Sequence, residues 1–176
     1  MRAIGLSNFD LDEIARCHAV RPVDVLQPEL NLINRERAGD RIHWAGENGV
    51  GVVVYSPMAS GLLTGSFNVE GLERLAEDDW RRGHPNFQEP ALARNLELVE
   101  RLREVARDVG CTLAELAIAW TLAWPAVTGA IVGARTPEEV DGWIGAAQVE
   151  LSPDALAAIA GALEELAVGS GPTLPG

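Results

Sequence analysis

"GVGVVVYSPMASGLLTG", residues 49–65, decides how this chain folds. "VGVVVY" is apolar at every second position and at the positions between. That is the pattern of a strand covered on both faces, as in a parallel sheet. "SPMASGLLTG" then turns at once to Ser, Pro and Gly, so the strand ends in a loop rather than a hairpin. The stretch also holds Tyr55, the only tyrosine of the chain. Whether that phenol is an acid, a nucleophile or a platform depends on what surrounds it in the sequence.

The same strand-then-helix unit recurs on either side. "RAIGLS" (2–7) reads as a strand bounded by Gly and Ser. "DLDEIARCHAV" follows, with Asp10 and Glu13 spaced as a capping box. "VDVLQPELN" (23–31) is the next strand, ended by Pro28. Residues 35–49 predict a helix stopped by Asn48-Gly49. The strand at 50–58 leads into a long polar, Gly-rich excursion reaching about Pro90, with Trp80, His84 and Phe87 inside it. These aromatics either cover a ligand or dock the loop on the body of the protein. Residues 91–110 put Leu92, Leu96, Val99, Leu102, Ala106 and Val109 on one helical face. Thr112 and Glu115 cap a helix over 113–124, "AVTGAIVGA" (126–134) is a strand, and Thr136-Pro137 opens a helix over 136–147. Ser152-Pro153 opens the last helix, to residue 167, and residues 169–176 read as a flexible tail.

The order is β-α-β-α-β-loop-α-α-β-α-α, an α/β chain with a parallel sheet. No G-x-G-x-x-G follows the first strand, which weakens a doubly wound dinucleotide-binding fold. The alternative is a TIM (β/α)8 barrel, whose eight units take about 250 residues. Only half that number of units is visible, so residues 1–168 read as a half-barrel domain.

Composition narrows the function. A net charge of −12 disfavours a nucleic-acid backbone or an anionic membrane as partner. All 14 basic residues are arginines, so no lysine chemistry can be run by this chain alone. Cys17 and Cys111 have no CxxC spacing, and His18, His43 and His84 have no ligand spacing; no metal site is expected. The start lacks a signal-peptide pattern, and a cytoplasmic protein is expected. The uncharged run 116–134 approaches the length of a membrane span, but Pro125 interrupts it; a helix followed by a strand is the better reading.

"RAIGLSNF", "LQPELNLINRE", "GVGVVVYSPMASGLLTG" and "IVGARTPEEV", in this order and at these separations, resemble the aldo-keto reductases. The resemblance runs from Arg2 to about Ala167 and matches strands five to eight of that family's barrel. It implies NADP(H) rather than NAD as cofactor. Ser7, Asn8 and Gln27 match the carboxamide ligands of the nicotinamide. Tyr55 matches the aromatic on which that ring stacks. Ser56, Met58, Ser60 and Leu62 match the loop beside the pyrophosphate. Gly133, Ala134, Arg135 and Thr136 match the segment at the adenosine 2′-phosphate. Each alone is ordinary: Ser7-Asn8 as a turn, Gln27 as loop chemistry, Tyr55 as a half-buried strand residue, Arg135-Thr136-Pro137 as a helix start.

The departures matter as much. The family's acid is a different tyrosine, assisted by a lysine, an aspartate and a histidine, all in strands one to four. The resemblance places the start of this chain at strand five, so no catalytic residue is assigned. Tyr55 is then, by resemblance, a cofactor platform. Where the family commonly has Glu and Asn against adenine, this chain has Gly142 and Trp143, and Ser66 replaces a common lysine. Two functions remain: the cofactor half of a carbonyl or alcohol oxidoreductase, acting on a small carbonyl substrate only when an N-terminal half completes it, or a non-catalytic nucleotide-binding or interaction half-barrel. In either case the isolated sheet is expected to associate with itself.

Overall fold

One parallel sheet organises the protein. Its strands are β1 (Gly5–Ser7), β2 (Val25–Gln27), β3 (Gly51–Tyr55) and β4 (Val127–Ile131), hydrogen-bonded in the order β1-β2-β3-β4. The computed structural model describes residues 1–176, and the side chains of all of them except Arg37 and Ala38. Seven helices connect or follow the strands: α1 (Leu11–Val20), α2 (Glu36–Glu47), α3 (Val69–Glu73), α4 (Ala91–Val109), α5 (Leu113–Leu122), α6 (Pro137–Asp141) and α7 (Pro153–Glu165). β1 and β4 are the two edges of the sheet.

Register separates the two faces. Leu6 lies beside Leu26, Leu26 beside Val52, and Val54 beside Ala130. Leu26, Val52 and Val54 are buried with Leu98, Leu102, Leu116, Trp120 and Ile159 in one core. Burial of each such side chain stabilises the fold by about 1.5–3 kcal/mol. The opposite face carries Gly5, Ser7, Val25, Gln27, Gly51, Val53, Tyr55 and Ile131, none of them buried. Ile131 is 46% exposed although it is the apolar end of a strand. The helices therefore cover only one side of the sheet, and the apolar pattern of "VGVVVY" anticipates cover on the other.

Local signals explain most element ends. Asp10 accepts from the Glu13 amide at 2.8 Å while Glu13 accepts from the Asp10 amide at 2.9 Å, closing the capping box of α1. Thr112 and Glu115 do the same for α5. Gly110 ends α4 at φ 83°, a left-handed conformation that glycine adopts without penalty. The uncharged run at 116–134 divides into α5 and β4, and among the described residues no helix is long and apolar enough to cross a membrane.

Several elements differ from expectation. β1 is shorter than 2–7: the Ile4 carbonyl accepts from the amides of Asp24 and Val25 at 2.9 and 3.3 Å, but its own amide donates to a side chain, Asp24 Oδ2, at 2.7 Å. The helix expected over 136–147 stops at Asp141, and Ile144–Gln148 continues as a tighter 3-10 turn. Gly142 lies at this break and Gly145 inside the 3-10 turn, and their backbone entropy disfavours a continuous helix. The excursion after β3 contains α3 and several 3-10 turns rather than open loop. Beyond α7, Ser170 bridges Asn34, and Thr173 donates to Glu164 at 2.8 Å.

Candidate functional site

At the C-terminal ends of the strands, polar side chains pair across neighbouring loops. Ser7 Oγ donates to the Gln27 carbonyl at 3.0 Å, across the β1–β2 pair. The Tyr55 phenol donates to Asn8 Oδ1 at 3.1 Å, spanning from β3 to the loop after β1. Asn8 sits at φ 62°, a conformation asparagine tolerates because its short amide can bond locally. Ser7, Asn8, Gln27 and Tyr55 thus meet on the uncovered side of the sheet.

A cleft of about 940 Å³ begins at Tyr55. One wall is the loop after β3, with Ser56, Met58 and Ser60; the other is the loop after β4, with Gly133, Ala134 and Arg135. Trp143 and Thr112 close part of the far end. The volume falls within the range of small-molecule and cofactor clefts. The loop after β3 is backbone-strained: Ser56, Ala59 and Ser60 all have φ between 47° and 55°. Leu62, at 0% exposure, points into the core and does not line the cleft. Thr136 is likewise not in the lining; its hydroxyl oxygen accepts from the Glu139 amide at 3.3 Å and caps α6.

Arg135 is engaged rather than free. Its amide donates to Glu139 Oε2 at 2.7 Å, and Nε and Nη2 donate to Oε1 at 3.2 and 3.0 Å. These bonds, the backbone one foremost, hold the Glu139 carboxyl below the usual carboxylate range. Glu138 is also lowered, by its own amide and then by the Thr136 hydroxyl. The donors at this end of the cleft are those an anion would use, and two carboxylates already take them.

A second cleft, of about 660 Å³, lies on the other side of Tyr55 and Asn8. Its wall is a chain of amides that sequence reasoning did not single out. Asn34 Nδ2 donates to Glu29 at 2.7 Å, Asn86 Nδ2 donates to Asn34 at 3.1 Å, and Asn95 Nδ2 donates to the Asn86 carbonyl at 2.9 Å. Arg35 is buried beside it and donates to the carbonyls of Leu32 and Val168; burial lowers its pKa, against the opposing pull of Glu164. The only sequence signal was polar residues in "ELNLINRE", where an apolar stretch would have served packing alone. Of the excursion aromatics, Phe87 is buried, and Trp80 packs edge-on against it at 58% exposure.

The aldo/keto reductase family model matches residues 1–164. The chain belongs to the aldo/keto reductase family. It is 33% identical over 150 residues to the aldo-keto reductase YhdN of Bacillus subtilis, a match covering 81% of this chain and 45% of that protein. It superposes on a glycerol dehydrogenase from Gluconobacter oxydans with a TM-score of 0.83 at 27% identity, over 97% of this chain and 51% of that one. This aldo/keto reductase chain therefore spans about half the length of the relatives it matches. Membership identifies the family's barrel architecture and an oxidoreductase lineage.

Proposed function

We propose that this chain is the cofactor-binding half of an NADP(H)-dependent carbonyl or alcohol oxidoreductase, corresponding to strands five to eight of the family's barrel. The observation that carries the reading is Tyr55: it stands at the head of the larger cleft, tied to Asn8, with Gly133, Ala134 and Arg135 along the opposite wall. Tyr55 would hold the nicotinamide of a dinucleotide by stacking, Ser7, Asn8 and Gln27 beside it would bond the carboxamide, and Ser56, Met58 and Ser60 would hold the pyrophosphate. Leu62 supports that loop from the core. Arg135, once released from Glu139, and the Thr136 cap would hold the 2′-phosphate. The cofactor supplies hydride; these residues bind and orient it.

The same reading leaves the chain alone without an acid. Its single tyrosine is committed to the platform, and it has no lysine to depress a phenol's pKa from about 10. Reduction of a small carbonyl substrate then requires strands one to four, in the same polypeptide or a separate one. The uncovered face and unpaired edges β1 and β4 support this. The lack of lysine equally supports a second reading, a non-catalytic nucleotide-binding half-barrel. A cytoplasmic location is part of the proposal.

Fluorescence titration with NADPH, with and without a polypeptide carrying the family's first four strands, is the test. Saturable binding by the chain, and aldehyde reduction only in the completed form, is expected. Binding without activity in the completed form favours the second reading, and no binding in either form refutes both.

A further inference from the structure

We infer that Asn31 is the positioning residue of the Tyr55 platform, acting through the backbone of Ser56; this rests on the nucleotide reading of the larger cleft. Asn31 is 0% exposed and lies in the loop after β2, not in the cleft itself. All of its amide is engaged. Oδ1 accepts from the amides of Ile33 at 3.0 Å and Asn34 at 2.8 Å. Nδ2 donates to Glu29 Oε1 at 3.2 Å and, across 25 residues of sequence, to the Ser56 carbonyl at 3.0 Å.

Ser56 is where support is needed. It follows Tyr55 at φ 54°, a region that a residue with a Cβ enters only at a cost. Such conformations persist when their surroundings over-determine them. The Ser56 carbonyl is held twice, by Asn31 and by the Ala59 amide at 3.0 Å. Tyr55 itself is held by backbone bonds to the same loop: its amide donates to Pro28 at 3.1 Å, and its carbonyl accepts from Leu30 at 3.3 Å. Asn31 is the side chain that joins this clamp to the strained residue. The contact to Glu29 extends it to Asn34, Asn86 and Asn95, so the excursion loop and the platform share one hydrogen-bonded wall. An amide suits the position because its two N–H donors and its separate acceptor oxygen serve four partners at once, whereas a hydroxyl has a single O–H to donate.

The test uses Asn31→Ala, Ser56→Gly and the double variant, each titrated with NADPH and with adenosine 2′,5′-bisphosphate, which reports the far end of the cleft alone. Asn31→Ala is expected to weaken NADPH by roughly three- to ten-fold, the range of one lost hydrogen bond, and the bisphosphate by less than about two-fold. In the Ser56→Gly background the further loss of NADPH affinity on adding Asn31→Ala is expected to fall below about two-fold, because glycine takes a positive φ freely. A loss common to both ligands, or an undiminished Asn31→Ala penalty in the Ser56→Gly background, overturns the positioning role. Should Asn31→Ala alone not stay folded, recovery of a cooperative melt in the double variant supports the inference, and its absence overturns it. Wild type binding neither ligand overturns the nucleotide reading itself, and this inference with it, whereas wild-type binding unaffected by Asn31→Ala overturns the inference only.

Discussion

Arg135 and Glu139 hold each other through three hydrogen bonds at the far end of the larger cleft, from the arginine amide, Nε and Nη2 to the two carboxylate oxygens. The pair is solvent-exposed, with the arginine side chain at 82% exposure, so its net worth is small. A phosphate arriving there must displace a carboxylate that already fits. Arg135→Ala is expected to weaken NADPH roughly ten- to a hundred-fold, the loss of one charge-assisted contact, and to leave NADH nearly unchanged. Glu139→Gln is expected to do the reverse and raise NADPH affinity by up to about five-fold. Equal effects on both dinucleotides would remove Arg135 from the 2′-phosphate position. Isothermal titration of the two variants decides it.

The chain alone is predicted to reduce no aldehyde with NADPH, since it holds one tyrosine and no lysine. A steady-state assay over a broad aldehyde panel measures this. Turnover above background that disappears in Tyr55→Phe would make Tyr55 the acid and not the platform.

Self-association is predicted from the sheet. β1 and β4 are unpaired edges, and Val25, Val53 and Ile131 face away from the helices. Unprotected edges pair with other chains, and a two-fold dimer joining β4 of each copy to β1 of the other satisfies both at once. Sedimentation at micromolar concentration is expected to give a dimer. A monomer with a cooperative melt and no affinity for hydrophobic dye would mean that the face needs no cover.

Gly169 offers a test of the docked C-terminal segment. It sits at φ 64°, and a Cβ there would collide with the Ile33 carbonyl. Gly169→Ala is predicted to cost more than about 1 kcal/mol in denaturant unfolding. An unchanged midpoint would show that residues 169–176 do not hold this place in solution.

The sequence made the repeating strand–helix order legible because its signals are local. Asp10 with Glu13, Thr112 with Glu115 and Gly110 each act within one turn of helix, and each does so in the structure. The failures are where the decisive contact is distant or the element is irregular. The excursion's 3-10 turns have no periodicity to detect. The break in 136–147 depended on weighing Gly142 and Gly145 against a good cap. Asn31 stands in a quoted motif, but nothing local showed its role, because its partner Ser56 is 25 residues away. In the candidate site, Tyr55, Ser56, Met58, Ser60, Gly133, Ala134 and Arg135 come together around one cleft, and Asn8 joins them through Tyr55. Leu62 does not, since an apolar residue in a tight turn is drawn into the core by the same burial that shapes the loop.

The most direct measurement of the central claim is amide chemical-shift mapping of the labelled chain during titration with NADPH. The account predicts shifts at Tyr55, Ser56, Ser60, Gly133 and Arg135, which line the larger cleft, and at Asn8 through its bond to Tyr55, with little change at Asn34, Asn86 and Arg94 in the smaller cleft. Shifts confined to the smaller cleft, or none at a concentration that saturates fluorescence, would contradict it.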